Sequence, residues 1–178
     1  MITELLERIC NKLDEHDIPY MLSGSLAMIT YTIPRMTRDI DIVVNLRASD
    51  IEVFLSMFKE GYYIHENSVR EEVRRRGMFN VIDFKTNFKI DFIVRKNTAF
   101  HINEFERRQA SKAYGFHTWI VSIEDLVLSK IQWIQVLQSD TQINDIKNLL
   151  KNPILDKDYV KQWCKEMNLK TFNLLNDA

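Results

Sequence analysis

The spacing of apolar residues changes along the chain and predicts helices in some segments and strands in others. Over residues 2–13 apolar side chains recur every three or four positions with charged residues between them, which predicts an amphipathic helix. Residues 20–22 form a short apolar run before Ser23-Gly24-Ser25, which predicts a buried strand followed by a turn. Acidic and apolar residues alternate over residues 39–44, which predicts a strand with one buried face.

The second half of the chain changes in character near residue 122. Residues 62–94 are mostly extended segments rich in β-branched and aromatic residues, and the last of them covers residues 90–94. Ser122 is a typical helix cap, and apolar residues return to helical spacing after it. We therefore expect an α/β (α+β) core over residues 1–121 and a helical C-terminal part over residues 122–178 packed on that core.

The composition narrows the class of protein without identifying a function. A chain of 178 residues with 46% hydrophobic and 28% charged residues suits a folded globular domain and excludes a disordered one. The net charge of −1 argues against a protein that coats DNA. Cys10 and Cys164 lack the spacing of a disulfide framework or zinc site. We see no signal-peptide pattern and no apolar run of the roughly 20 residues that cross a membrane, and we expect a cytoplasmic protein.

Three acidic residues on two predicted strands are the main candidates for a functional site. Asp39 and Asp41 are two residues apart, so their side chains point to the same face of the strand, about 6.6 Å apart along it. Asp91 has the same setting on a later strand, in the sequence Lys-Ile-Asp-Phe-Ile-Val. Asp83 is the alternative third acid. Because any half-exposed strand can carry Asp-x-Asp, the order of the motifs supports the prediction more than the pair itself.

A cluster of three carboxylates is costly unless a cation neutralises it. Two like charges about 4 Å apart repel by about 4 kcal/mol at an effective dielectric of about 20. Oxygen ligands with open positions suit Mg²⁺, and two such ions can clamp the attacking and leaving oxygens of a phosphoryl transfer. The turn at Gly24-Ser25 offers backbone N–H groups and a hydroxyl to a phosphate. Together these motifs predict a site for magnesium and a nucleotide.

The order of the motifs resembles the signature of the polymerase-beta-type nucleotidyltransferase superfamily. Gly24-Ser25-Leu26-Ala27, followed by Arg35-Met36-Thr37-Arg38-Asp39-Ile40-Asp41, is similar to that superfamily's Gly-[Gly/Ser], helix, Arg-x-Thr-x-Asp-[Ile/Leu]-Asp pattern. The resemblance implies a mixed twisted sheet flanked by helices. It also implies that Asp39, Asp41 and Asp91 are the catalytic, metal-binding acids. Arg38 flanks these acids and is a candidate phosphate ligand, with pairing to an aspartate as the alternative.

The C-terminal part resembles the helical tail of small bacterial and archaeal nucleotidyltransferases, including the abortive-infection type IV toxin group. The similar stretch runs from Ser122 through Lys130 to Asp145. In that group the matching Lys and a later Asp line the nucleotide site, so the resemblance implies that Lys130 contacts the triphosphate and that Asp145 orients it. The chain departs from the toxin pattern at residues 139–142, Ser-Asp-Thr-Gln, where that group often carries a denser Lys/Arg-Asp motif.

Other charged and aromatic residues have a simpler structural interpretation. The arginines of residues 70–76 could grip a polyanion such as tRNA, but the interleaved Glu71 and Glu72 favour a solvated helix face. Trp119, Trp133 and Trp163 are expected to fill the core or the seam between the two parts of the chain.

The motifs and the resemblance together predict a Mg²⁺-dependent enzyme that transfers a nucleoside monophosphate from an NTP, such as ATP, to an acceptor hydroxyl and releases pyrophosphate. Gly24 and Ser25 would hold the β- and γ-phosphates, and Asp91 would be the general base. The acceptor stays open between RNA or tRNA, a protein and a small molecule. An antitoxin or a second copy of the chain is a possible partner. The rival prediction is a non-catalytic module that binds a nucleotide or a partner and keeps the same fold.

Overall fold

The computed structural model describes residues 2–33 and 39–176 of the chain. Within these residues, seven strands form one mixed sheet that is surrounded by eight α-helices. The strands are β1 Tyr20–Leu22, β2 Asp39–Val44, β3 Tyr62–Ile64, β4 Met78–Asp83, β5 Lys89–Val94, β6 Gln109–Ser111 and β7 Thr118–Ile120. The helices are α1 Ile2–Glu15, α2 Gly24–Met28, α3 Ile51–Met57, α4 Glu66–Arg75, α5 Ala99–Glu106, α6 Ile123–Ile134, α7 Asp140–Leu150 and α8 Lys157–Glu166.

The strand order places the two predicted acidic strands side by side near the middle of the sheet. The order is β3-β4-β5-β2-β1-β7-β6. The pairs β2–β5 and β1–β7 are parallel, and the other neighbours are antiparallel. This arrangement confirms the predicted mixed sheet flanked by helices.

One face of the sheet is apolar and is covered by α1 and α3. Phe54 and Phe58 of α3 pack on Phe92 of β5, with ring centroids 5.1 and 5.6 Å apart. On α1, the Sγ atom of Cys10 lies 3.5 Å from the hydroxyl of Thr118 on β7. The strand residues on this face include Ile40, Ile42, Val44, Ile90 and Phe92, all of them buried. Because every second residue of β2 and β5 is anchored in this way, the residues between them must point to the opposite face.

The opposite face is covered over only part of its width. The short helix α2 packs against β2 and against α6, so helices cover this face around β1 and β2. Farther along the sheet, Asn80 of β4 is exposed and stands opposite Asp91 of β5 in the strand register. We call this side of the sheet the carboxylate face, because it carries Asp39, Asp41 and Asp91.

The C-terminal helices are joined to the rest of the chain by partly buried polar contacts. Arg107, at the end of α5, reaches Glu124 at 3.0 Å and Asp125 at 3.1 Å. Tyr159 of α8 donates to Asp125 at 2.8 Å, and Ser122 caps α6 by accepting from the Asp125 N–H at 3.2 Å. The predicted cap at Ser122 is therefore correct, while a domain boundary between residues 121 and 122 stays a prediction.

The prediction for Trp133 is wrong, because its side chain is 59% exposed. The buried stripe of α6 includes Leu126, Val127 and Ile131, and Trp133 lies outside it. Trp119 and Trp163 do pack against the core, as expected. In the described part of the chain, every helix is too short or too polar to cross a membrane.

Candidate functional site

Asp41 and Asp91 are register partners on the parallel strands β2 and β5. Partners in adjacent strands share a face and are separated by roughly the 4.8 Å between strands. Asp39 lies two residues before Asp41, so it shares this face, and its own register partner is Lys89. The fold thus brings the three predicted acids together on the carboxylate face.

Asp83 lies on the other side of the sheet. Asn80 of β4 is the register partner of Asp91, so the two side chains point to the same face of the sheet. Asp83 lies three residues after Asn80 on the same strand, so its side chain points to the opposite face. Its carboxylate accepts from Arg8 Nη2 of α1 at 3.0 Å and from the Thr86 hydroxyl at 2.6 Å. Asp83 is therefore a buried anchor for α1 and the turn after β4, and of the two alternatives Asp91 is the third acid of the cluster.

The electrostatics of the cluster are unfavourable without a cation. Burial, followed by the charges of Asp91 and Asp39, raises the pKa of Asp41 to about 6. The positive charges of Lys130 and Lys89 oppose this rise only in part. Desolvation and like charges both disfavour the ionised carboxylate, so the cluster is poised to accept additional positive charge.

The two oxygens of Asp91 have different surroundings. Oδ2 accepts from the Lys89 ammonium at 2.7 Å. Oδ1 is buried and has no hydrogen-bond partner among the described residues. A buried carboxylate oxygen without a hydrogen-bond partner lowers the stability of the folded state, and such atoms are normally satisfied by an ion, a water or a ligand.

The donor set of the cluster fits magnesium better than a softer metal. Among residues 2–33 and 39–176, no three His, Cys, Asp or Glu side chains converge closely enough to form a complete ligand set by themselves. Mg²⁺ does not need such a set, because it binds one or two carboxylates and takes its remaining ligands from water and substrate phosphates. Asp41 and the unpartnered oxygen of Asp91 meet that requirement, with Asp39 next to them.

Gly24 packs directly against the Asp41 side chain. The Ser23 N–H donates to the Asp41 carbonyl at 3.0 Å, which continues the β1–β2 pairing up to the turn. Gly24 has φ +57, and a Cβ at this position would lie 2.8 Å from Asp41 Cγ and would overlap Oδ2. The turn therefore requires glycine both for its backbone conformation and for the close approach to the carboxylate. Ser25 follows in the first turn of α2.

Lys130 and Asp145, which are 15 residues apart in sequence, form a buried ion pair between α6 and α7. Lys130 Nζ lies 2.8 Å from Asp145 Oδ2 and donates to Gln142 Oε1 at 3.1 Å. The Lys130 charge is close enough to Asp41 to lower its pKa, so the pair lies beside the carboxylate face. Lys130 is thus within electrostatic reach of Asp41, and Asp145 is bound to its ammonium. Arg38 lies outside the described residues.

Sequence reasoning missed Lys89 and Gln142. Lys89 precedes Asp91 by two residues, so strand periodicity alone placed its side chain on the same face. Gln142 precedes Asp145 by three residues, and helical periodicity placed these two side chains on one side of α7.

Three of the four arginines of residues 70–76 have partners within the chain. Arg70 lies 2.5 Å from Glu52, Arg75 pairs with Glu72, and Arg76 donates to the carbonyl of Arg95. These contacts fit the predicted solvated helix face better than a patch that grips a polyanion.

The comparisons with known proteins agree with this geometry. Residues 1–177 match a family described as "Nucleotidyltransferase of unknown function (DUF6036)". The search of curated proteins gives no match. Because the family match covers almost the whole chain, it assigns the family directly.

The similar solved structures include three whose names state an activity or a fold class. The structure of ANT(2'')-Ia in complex with adenylyl-2''-tobramycin has a TM-score of 0.63 and 13% identity, over 93% of this chain and 96% of that one. The lincomycin-bound lincosamide antibiotic adenylyltransferase LnuA has a TM-score of 0.57 and 16% identity, over 82% and 94%. A nucleotidyltransferase-like antigenic protein from Paracoccidioides brasiliensis has a TM-score of 0.57 and 15% identity, over 98% and 91%. At these identities the likeness shows the fold. The chain therefore belongs to the DUF6036 family of nucleotidyltransferases and has the nucleotidyltransferase fold.

Proposed function

We propose that the protein transfers a nucleoside monophosphate from a magnesium-bound NTP to the hydroxyl of an acceptor and releases pyrophosphate. The observation that carries this proposal is the pairing of Asp41 with Asp91 on adjacent parallel strands, where the buried Asp91 Oδ1 has no hydrogen-bond partner within residues 2–33 and 39–176. Family membership supports nucleotidyl transfer in general. The dependence on magnesium and the nature of the acceptor are the parts that need an experiment.

The proposed reaction uses the carboxylates in two ways. Asp39, Asp41 and Asp91 would hold the magnesium, which supplies positive charge to the triphosphate and to the carboxylate cluster. The acceptor oxygen attacks the α-phosphorus, and the bond from that phosphorus to the β-phosphate oxygen breaks, so that pyrophosphate leaves. Asp91 would take the proton of the acceptor hydroxyl, which requires the acceptor oxygen to lie within about 3 Å of it.

Residues around the cluster would bind the nucleotide. Gly24 lies against Asp41 and leaves room for phosphates to approach the backbone, and the Ser25 hydroxyl would bind the β- or γ-phosphate. An ammonium has three N–H donors, and Gln142 and Asp145 accept from Lys130. The remaining donor of Lys130 would bind a triphosphate oxygen, with Asp145 fixing its direction. Arg38 stays a candidate phosphate ligand.

Two observations favour a small hydroxyl-bearing molecule as the acceptor. Arg70, Arg75 and Arg76 are paired within the chain, which reduces the positive charge that this segment could offer to RNA. Two similar structures, which this chain covers over 96% and 94% of their lengths, carry adenylyl-tobramycin and lincomycin. RNA, tRNA or a protein would be revealed as the acceptor by the same experiment.

The test is a transfer assay with an NTP labelled at the α-phosphate. Wild-type protein, Mg²⁺ and each labelled NTP are incubated with separate pools of small molecules, RNA and protein, and the labelled product is isolated. We expect Mg²⁺-dependent label in the small-molecule pool, and we expect none with the Asp39→Ala, Asp41→Ala double variant or with EDTA. Circular dichroism melting establishes that the double variant is folded.

The outcomes separate the proposal from its rival. If the double variant transfers label as well as the wild type, the proposed mechanism is wrong. If the wild-type protein binds Mg²⁺ and an NTP but transfers no label to any pool, it is a non-catalytic nucleotide-binding module. Membership of the toxin group, an antitoxin partner, a homodimer and a cytoplasmic location stay predictions.

A further inference from the structure

Lys89 occupies the position in which a cation would neutralise Asp91. Its Nζ atom lies 2.7 Å from Asp91 Oδ2. In the strand register Lys89 stands opposite Asp39, and it shares the carboxylate face with Asp91 because the two are separated by two residues of β5. The ammonium therefore lies among three carboxylates, all of which raise the pKa of Lys89, the hydrogen bond to Asp91 most strongly.

The two partners of this ion pair differ in their freedom to move. The Asp91 side chain is 9% exposed, whereas that of Lys89 is 47% exposed. Lys89 also has a flexible four-carbon stem, and its ammonium can leave Asp91 for solvent without displacing packed atoms. Asp91 is held in the sheet and cannot follow it. A divalent cation that approaches Asp91 would therefore displace or repel Lys89 rather than rearrange the carboxylate.

We propose that Lys89 is a built-in counter-ion, which holds Asp91 Oδ2 in the metal-free protein and, as a positive charge on the same carboxylate, competes with a divalent cation for Asp91. This inference rests on the metal site of the proposed function. Lys89 is a positioning residue here, because it acts through Asp91. Its effect is to keep the carboxylate cluster tolerable before the cation binds and to lower the affinity for the cation in the absence of a nucleotide.

The size of the expected effect follows from the electrostatic coupling between the Lys89 ammonium and a bound Mg²⁺ ion. Coupling between two neighbouring binding events usually changes affinity by about 5- to 150-fold. Lys89→Met removes the competing charge and keeps the length of the apolar stem. We expect this variant to bind Mg²⁺ about ten-fold more tightly than the wild type, within that range.

The experiment is a calorimetric titration of Mg²⁺ into nucleotide-free protein, combined with thermal melting in EDTA and in Mg²⁺. Lys85→Met is the matched control, since Lys85 is exposed in the turn between β4 and β5 and its replacement removes the same charge. We expect Lys89→Met to melt below the wild type in EDTA, because Asp91 loses its ammonium partner, and to gain more stability than the wild type from Mg²⁺. Lys85→Met should match the wild type in affinity, and Lys89→Arg should restore wild-type behaviour in both measurements.

The possible failures are distinguishable. If Lys89→Met and the wild type bind Mg²⁺ with equal affinity and melt together in EDTA, the counter-ion inference is wrong and the metal site stands. If Lys85→Met tightens binding as much as Lys89→Met, net charge explains the effect and the inference is again wrong. If none of these proteins binds Mg²⁺ at millimolar concentration, the inference and the metal site of the proposed function both fail.

Discussion

Replacing Gly24 with alanine tests how closely the turn after β1 fits the Asp41 carboxylate. The added Cβ would lie 2.8 Å from Asp41 Cγ and would overlap Oδ2, whereas ordinary contacts begin near 3.4 Å. The carboxylate or the turn must shift to relieve this overlap, by at least about 1 Å at Oδ2. A misplacement of about 1 Å can reduce the rate of an enzyme by about 100-fold, which corresponds to about 2.7 kcal/mol of transition-state stabilisation. The backbone at φ +57 adds a cost of about 1–2 kcal/mol in folding stability.

The assay measures initial rates of α-phosphate label transfer alongside urea unfolding. Gly61→Ala is the matched control, because Gly61 has φ +82 and a Cβ there would meet no atom of the described residues within 4 Å. Both variants should lose about 1–2 kcal/mol of stability to the backbone conformation, Gly24→Ala should lose more because of the overlap with Asp41, and only Gly24→Ala should lose transfer by about 100-fold. If Gly24→Ala transfers label at the rate of Gly61→Ala, the close fit between the turn and Asp41 has no role in catalysis.

Three further predictions concern the third carboxylate and two buried groups. Asp91→Asn should reduce label transfer by at least about 100-fold while Asp83→Asn stays near the wild-type rate, because the two side chains lie on opposite faces of the sheet; equal losses would contradict this assignment. Asp145→Asn should lower the unfolding free energy in urea by about 3–5 kcal/mol, since it leaves the buried ammonium of Lys130 without its carboxylate, and adding Lys130→Met should recover most of the loss. Burial raises the pKa of Glu104 from its usual 4.5 to about 7. The folded state therefore holds this proton more tightly than the unfolded state, and the free energy of unfolding falls as the pH rises from about 4.5 to about 7. Glu104→Gln should therefore be more stable than the wild type by about 3 kcal/mol near pH 8, and urea titrations across this window that give a constant difference would refute the prediction.

The gathering of the three acids could be predicted because strand geometry is periodic. A period of two residues fixes the face of every side chain once one face is apolar, so Ile40 and Ile42 determine the direction of Asp39 and Asp41. The same rule applies to Lys89, which lies two residues before Asp91 on β5 and therefore shares its face. The identity of the neighbouring strand came from the similar context of Asp91 and was correct.

Contacts between distant segments could not be predicted in this way. The burial of Lys130 depends on how α6 and α7 pack, and helical spacing alone is equally consistent with a solvated lysine. Asp83 finds its partner Arg8 in α1, 75 residues away, and no local pattern records such a pairing. Trp133 was misassigned because a large aromatic residue suggests burial, although the apolar stripe of α6 is already complete without it.

The most direct test of the central claim measures the fate of the α-phosphate and of the γ-phosphate of the same NTP. It compares the wild type with Asp41→Asn, which keeps the shape of the side chain and removes its charge. We predict that, in the presence of Mg²⁺, the wild-type protein attaches an α-phosphate label to the acceptor and releases a γ-phosphate label in pyrophosphate, and that Asp41→Asn does neither at a comparable rate. Transfer by Asp41→Asn at the wild-type rate, or release of the γ-label as orthophosphate without transfer of the α-label, would contradict a nucleotidyl transfer carried out by this carboxylate cluster.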